Sequence, residues 1–169
     1  ISRLYALKAI ECGKQAIDRI VHQQGSLQEV DDIAKASLLA GLAFSNTKTT
    51  ACHSISYPLT LHYGIPHGVA VSLLFGPVAR KNSGHYPDEQ RLYQALGVSD
   101  INEAEDFIKT SLAKAGYATK LNQWGGQKED LKPLVEHCFT AGRMENNPYD
   151  LTNEDVLEIL ESIFEEERR

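Results

Sequence analysis

Residues 44–82 read F-S-N-T-K-T-T-A-C-H-S-I-S-Y-P-L-T-L-H-Y-G-I-P-H-G-V-A-V-S-L-L-F-G-P-V-A-R-K-N, and the fold turns on this stretch. It holds three of the six histidines, His53, His62 and His67, and the least polar run in the chain, Val69 to Val78. The run is apolar nearly all round, which predicts a central helix reaching about Lys81. Pro66 suits the start of that helix, because its missing N–H is no loss there. Ahead of it, Gly64-Ile65-Pro66 breaks the chain. The segment before the break predicts a helix over roughly Thr47 to His62, capped by Ser45 or Asn46. Pro58 cannot donate to the carbonyl of Ser54, so a kink is expected just after His53. Between His53 and His67 the chain must reverse, so both imidazoles can face one cleft. Imidazole nitrogen suits zinc, iron or nickel, and the reading is half of a metal site. Nothing completes it, since His85 and His137 lie in separate segments and a catalytic metal normally takes three or more protein ligands.

Working outward, Leu4, Leu7, Ile10, Ile17 and Val21 recur at helical spacing, and Gln23-Gln24-Gly25 is expected to end that first helix. Ser26-Leu27-Gln28-Glu29 is a capping box that opens a second helix. Its small residues, Ala36, Ala40, Gly41 and Ala43, permit close helix approach. Downstream, Pro87-Asp88-Glu89 starts a short helix ending near Gly97, and Asp100 opens another that stops at Gly116. A loop is expected over Asn122 to Gln127, then a helix over roughly Glu129 to Ala141. Met144 to Asp150 reads as a polar connection, and Thr152-Asn153-Glu154-Asp155 caps the last helix. No stretch alternates with period two and β-branched enrichment. The expectation is an all-α protein, one bundle of about eight helices across residues 1–169.

The chain has 169 residues, 42% hydrophobic and 24% charged, with room for a real core. A net charge of −6 excludes the clustered basic surface that nucleic acid requires. The acidic excess lies mostly in Glu154 to Glu166, a solvated helix face. Cys12, Cys52 and Cys138 form no C-x-x-C pair, which argues for a reducing, cytoplasmic compartment. Cys52 and His53 are adjacent and diverge by about 100° on a helix, which disfavours a catalytic Cys–His pair. No apolar run reaches the roughly 18 residues of a membrane span, and no secretory leader is visible. The chain opens Ile1-Ser2-Arg3 and enters a helical pattern at once, as a piece of a longer protein would.

Several of these motifs together resemble one family. H-S-I-S-Y-P-L followed by G-I-P-H-G-V-A is similar to the signature of the iron-containing (group III) alcohol dehydrogenases, with two histidine ligands fourteen apart and the second in a P-H-G triplet. Ala40 to Asn46 resembles the family's helix end and loop before the first histidine. Pro77-Val78 and Asn82 match its P-x-V-x-x-x-N pattern. Asn147-Pro148, Leu151-Thr152 and Glu154-Asp155 resemble its N-P-R-x-L-T-x-E-D near the carboxyl end. The resemblance implies the carboxy-terminal helical domain of a two-part enzyme, with His53 and His67 as ligands to Fe2+ or Zn2+. It also implies an amino-terminal α/β domain that binds NAD(P) and is absent here, together with an Asp and a His completing the metal site from a helix also missing here. Small-molecule alcohols or aldehydes would be the substrates of the full-length enzyme, a homo-oligomer with no nucleic-acid or membrane partner. The fragment alone is expected to be inactive.

Three departures from the family matter. Tyr57 stands where many members have a further histidine; as i+4 of His53 it faces the same cleft, as a proton donor to substrate or a packing group. Tyr149 stands where the family often has Arg. Lys48-Thr49-Thr50 replaces a glycine-rich step before the metal helix. Near a helix amino terminus, Lys48, Thr49 and Thr50 make a candidate site for the anionic end of a phosphonate- or phosphate-bearing aldehyde. The bland reading of the same residues is an ordinary cap with an exposed lysine. Two other readings stand beside the dehydrogenase: a related enzyme of the glycerol-1-phosphate dehydrogenase or dehydroquinate synthase type, and a non-catalytic helical interaction domain.

Overall fold

The computed structural model describes residues 1–22 and 26–164. The expected helix end at Gln23-Gln24-Gly25 and the end of the acidic stretch Glu154 to Glu166, at Glu165 and Glu166, lie outside the described residues. Eight α-helices and three short 3-10 turns occur among the described residues, with no strand. The helices are α1 (Ser2–His22), α2 (Leu27–Thr47), α3 (Ala51–Tyr63), α4 (His67–Lys81), α5 (Glu89–Leu96), α6 (Ile101–Lys114), α7 (Leu131–Val135) and α8 (Asn153–Ser162). They fall into two compact units, one of Ile1–Lys48 and Pro87–Ala115, the other of Thr49–Tyr86 and Gly116–Arg169. No described helix is long and apolar enough to cross a membrane.

In the first unit α1 packs on α2 through small residues. Ala9 and Ala16 are buried on one helix, Ala36 and Ala43 on the other. A Cβ added at Gly13 would sit 3.5 Å from the Ala36 Cβ, which shows how near the two helices run. The capping box forms as its sequence predicts: the Ser26 N–H donates to Glu29 Oε2 at 2.9 Å. Arg19 then reaches across from α1, donating to Glu29 Oε1 at 2.8 Å and to Asp32 Oδ2 at 2.6 Å. Hydrogen bonds from the Ser26 side chain and backbone, with a smaller contribution from Arg19, hold the Glu29 carboxyl down at about 2.

In the second unit α3 and α4 pack together over a core that includes Ile55, Leu59, Ile65 and Leu74. Eight α4 residues are buried, from Val69 to Ala79, as the all-round apolar run requires. α8 adds Val156, Ile159 and Leu160. Lys81, at the end of α4, binds Asp155 at 2.7 Å and Glu158 at 2.6 Å on α8.

Two helices differ from their sequence expectation. The helix expected from Thr47 to His62 begins instead at Ala51, because α2 continues to Thr47. Ser45 and Asn46 cap nothing; their side chains donate back to the Leu42 carbonyl at 3.0 and 3.2 Å, within the last turn of α2. The helix expected from Glu129 to Ala141 shortens to Leu131–Val135. Its end tightens through His137 N–H to Leu134 O and Cys138 N–H to Val135 O, both at 3.0 Å. The Thr140 N–H then turns to Ser54 Oγ at 2.8 Å instead of to the helix. Pro58 lies inside an α3 that continues past it to Tyr63.

Candidate metal centre

His53 sits in the first turn of α3, its N–H donating to the Thr50 carbonyl at 3.1 Å. His67 is the first residue of α4. The reversal at Gly64, which takes the left-handed conformation (φ 66) that glycine adopts without strain, brings the two together. Their ring centroids lie 5.3 Å apart, inclined by 61°. Tyr57, one turn after His53, stacks on His67 at 5.5 Å with only 14° between the planes. All of these belong to the second unit, and His67 and Tyr57 are exposed to solvent.

Ser56 organises the pair. Its hydroxyl donates to the His53 carbonyl at 2.9 Å, so toward His67 Nδ1, 3.3 Å away, the same oxygen can only accept. In that arrangement His67 carries its proton on Nδ1 and presents the Nε2 lone pair outward, the form that binds metal. Burial, then His67, then the Arg143 guanidinium push His53 below its ordinary value, so it is neutral at pH 7. Two adjacent imidazoles fit a divalent transition metal as two of its ligands. They are half a set: among the described residues no group of three or more His, Cys, Asp or Glu could hold a metal ion.

The remaining candidates disperse. Thr50 precedes α3 but makes no side-chain cap bond, and the Thr49 carbonyl accepts from Asn146 Nδ2 at 3.3 Å. Lys48 is an exposed residue at the end of α2 and belongs to the first unit, whereas Thr49 opens the second. His62 and His137, with ring centroids 5.9 Å apart, line a separate cavity of about 310 Å³ with Tyr63 and Asp130. His85 packs on Tyr149 at 5.2 Å. Packing around the Cys52 thiol pushes it up to about 12, so it carries no thiolate at neutral pH beside His53.

Two participants escape the sequence. One is Ser54, fully buried, which donates to the Cys138 carbonyl at 2.5 Å while accepting from Thr140 N–H. The other is Arg143, whose guanidinium carbon stands 4.9 Å above the Tyr57 ring centroid. Its only sequence signal is a single arginine after Gly142, where the expected helix runs out.

Known proteins with similar sequences agree on one family. Residues 1–164 match the Fe-containing alcohol dehydrogenase family, C-terminal. The chain is 29% identical to the sulfoacetaldehyde reductase of Bilophila wadsworthia over 80% of its own length and 38% of that protein's. It is also 29% identical to the 1,3-propanediol dehydrogenase of Klebsiella pneumoniae, covering 94% of itself and 43% of the relative. Among solved structures, a sulfoacetaldehyde reductase from Bifidobacterium kashiwanohense in complex with NAD+ superposes with a TM-score of 0.85 at 27% identity. That match covers 96% of this chain and 43% of the other. The chain therefore spans less than half the length of the relatives it matches.

Proposed function

Because the chain belongs to the Fe-containing alcohol dehydrogenase family, as its carboxy-terminal part, we propose that it is the metal-binding portion of an NAD(P)-dependent alcohol dehydrogenase acting as an aldehyde reductase. The observation that carries this is the His53–His67 pair, 5.3 Å between centroids, with Ser56 setting the His67 tautomer. In this reading His53 and His67 hold Fe2+ or Zn2+. When bound, the metal supplies Lewis-acid polarisation of the substrate oxygen. Tyr57, stacked on His67 and exposed to solvent, is the proton donor to that oxygen, with its ring in contact with both His67 and Arg143. The nicotinamide cofactor is held by the part of the protein that relatives have beyond this stretch. The inert thiols of Cys52 and Cys138 suit a reducing, cytoplasmic setting.

The substrate is an aldehyde with an anionic end, for which Lys48, Thr49 and Thr50 are the sequence's candidates. Relatives are named for sulfoacetaldehyde, which carries a sulfonate, and for 1,3-propanediol, which carries no charge. Family membership alone leaves both classes open, so the choice rests on the cations of this chain.

The test uses the full-length protein. His53→Ala and His67→Ala should each lose the bound metal on dialysis, measured by elemental analysis, and aldehyde reduction should fall below detection. A variant that keeps one metal per chain and the parent turnover removes the reading.

A further inference from the structure

We propose that Arg143 is the residue by which this site selects aldehydes ending in a sulfonate or a carboxylate. The proposal rests on the reductase reading above and names the cation that meets the far end of its substrate. Arg143 lies over Tyr57, Tyr57 lies on His67, and His67 lies against His53, at 4.9, 5.5 and 5.3 Å in turn. The guanidinium and the imidazole pair thus share Tyr57 as a common neighbour, a spacing suited to a short substrate.

The guanidinium carbon stands 4.9 Å from the Tyr57 ring centroid. A guanidinium carries five N–H donors in its plane and can grip an oxyanion bidentately with two of them. Among the described residues Arg143 forms no ion pair with a carboxylate, and it is half-buried beside two exposed site residues. An arginine placed for structure usually has an acidic partner, as Arg19 has in Glu29 and Asp32.

The backbone under Arg143 is held. Gly142 takes φ 76, which lets the chain turn ahead of it. The Arg143 N–H donates to Thr140 O at 3.2 Å, and its carbonyl accepts from Asn146 N–H at 3.0 Å. Asn146 Nδ2 clasps Gly142 O at 2.7 Å. Ser54, the neighbour of His53, anchors the same segment through Cys138 and Thr140. One local structure therefore positions both the histidine and the arginine. Holding the guanidinium in advance lowers the cost of ordering it when substrate arrives.

The experiment compares full-length wild type with Arg143→Gln, Arg143→Lys and Lys48→Ala. Substrates are sulfoacetaldehyde, 4-oxobutanoate and neutral propanal, and binding of 2-hydroxyethanesulfonate is followed by calorimetry. For Arg143→Gln, the ratio of kcat/KM on either anionic aldehyde to kcat/KM on propanal should fall about 10- to 100-fold, the size of a charge-assisted hydrogen bond. The loss should lie mainly in KM, the Lys variant should recover part of it, and 2-hydroxyethanesulfonate binding should vanish in the Gln variant. An unchanged ratio overturns the proposal and leaves Arg143 as a support for Tyr57. A fall seen only in Lys48→Ala also overturns it. If the wild type reduces no aldehyde, the reductase reading fails separately and calorimetry decides Arg143. Sulfonate binding lost in the Gln variant then sustains its role, and absent or unaltered binding removes it.

Discussion

Lys48 holds φ 63 and ψ −179, the only positive φ at a non-glycine residue among the described ones. This region is nearly confined to glycine, and a side chain there costs about 1–3 kcal/mol. A lysine therefore stands on backbone shaped for glycine. Lys48→Gly should relieve the strain, offset in part by the extra freedom glycine gives the unfolded chain, about 0.4–1 kcal/mol. The expected net gain is about 1 kcal/mol, or roughly 2–4 °C in melting temperature for a chain of this size. Thermal unfolding of the two proteins checks it, and an unchanged or lower midpoint counts against strain at Lys48. His67 shows the converse case, a residue whose state is set by a neighbour. Ser56 decides which of its nitrogens faces outward.

The end of α4 is fastened to the segment ahead of α8 by a buried amide pair. Asn82 caps the end of α4, and its Nδ2 donates to Asn147 Oδ1 at 3.0 Å. Asn147 Nδ2 returns a bond to Asn82 Oδ1 at 2.7 Å and also donates to Tyr149 O at 2.7 Å. Both residues are buried, so each amide relies on the other in place of water. Asn147→Ala leaves the Asn82 amide short of a partner and should cost about 2–3 kcal/mol in urea denaturation. Replacing both asparagines by Ala should cost less than the two single changes together, because neither amide is then left facing a missing partner. Strict additivity would show that the pair is not coupled. The Lys81 clamp on Asp155 and Glu158 joins α4 to α8 but is partly exposed, and is worth less than the amide pair.

The chain as a whole matches 38–46% of the length of relatives such as the sulfoacetaldehyde reductase and the 4-hydroxybutyrate dehydrogenase. Within that length it brings two imidazoles together, and among the described residues no group of three or more His, Cys, Asp or Glu could hold a metal ion. The purified 169-residue chain should therefore bind Zn2+ or Fe2+ only weakly and catalyse no NAD-linked oxidation or reduction. Calorimetry with each metal and an absorbance assay for NADH check this. Tight stoichiometric binding or measurable turnover would mean that the two imidazoles suffice. The first unit, with α1, α2, α5 and α6, holds none of the ring cluster. A lesion at its Glu29 cap should therefore act on stability before it acts on metal affinity.

What the sequence determined by itself is local. The apolar run Val69 to Val78 had to be a buried helix. Ser26 with Glu29, and Thr152 with Asp155, had to be helix starts. His53 and Tyr57, four apart, had to share a face. Each follows from contacts between residues three or four apart, which any chain with that pattern makes. The ends of α2 and α7 and the place of Arg143 were decided only in three dimensions. The pattern before Ala51 is compatible with helix starting at Thr47 or ending there, and the close of α2 through the Lys48 N–H to Phe44 O settles it. Past the end of α7, Ser54, 86 positions away in sequence, takes the Thr140 N–H that a helix continuing to Ala141 would use. Periodicity records which residues share a face of one helix. It holds no information on which distant hydroxyl will outcompete the next backbone carbonyl, since that depends on tertiary packing between segments far apart in the chain.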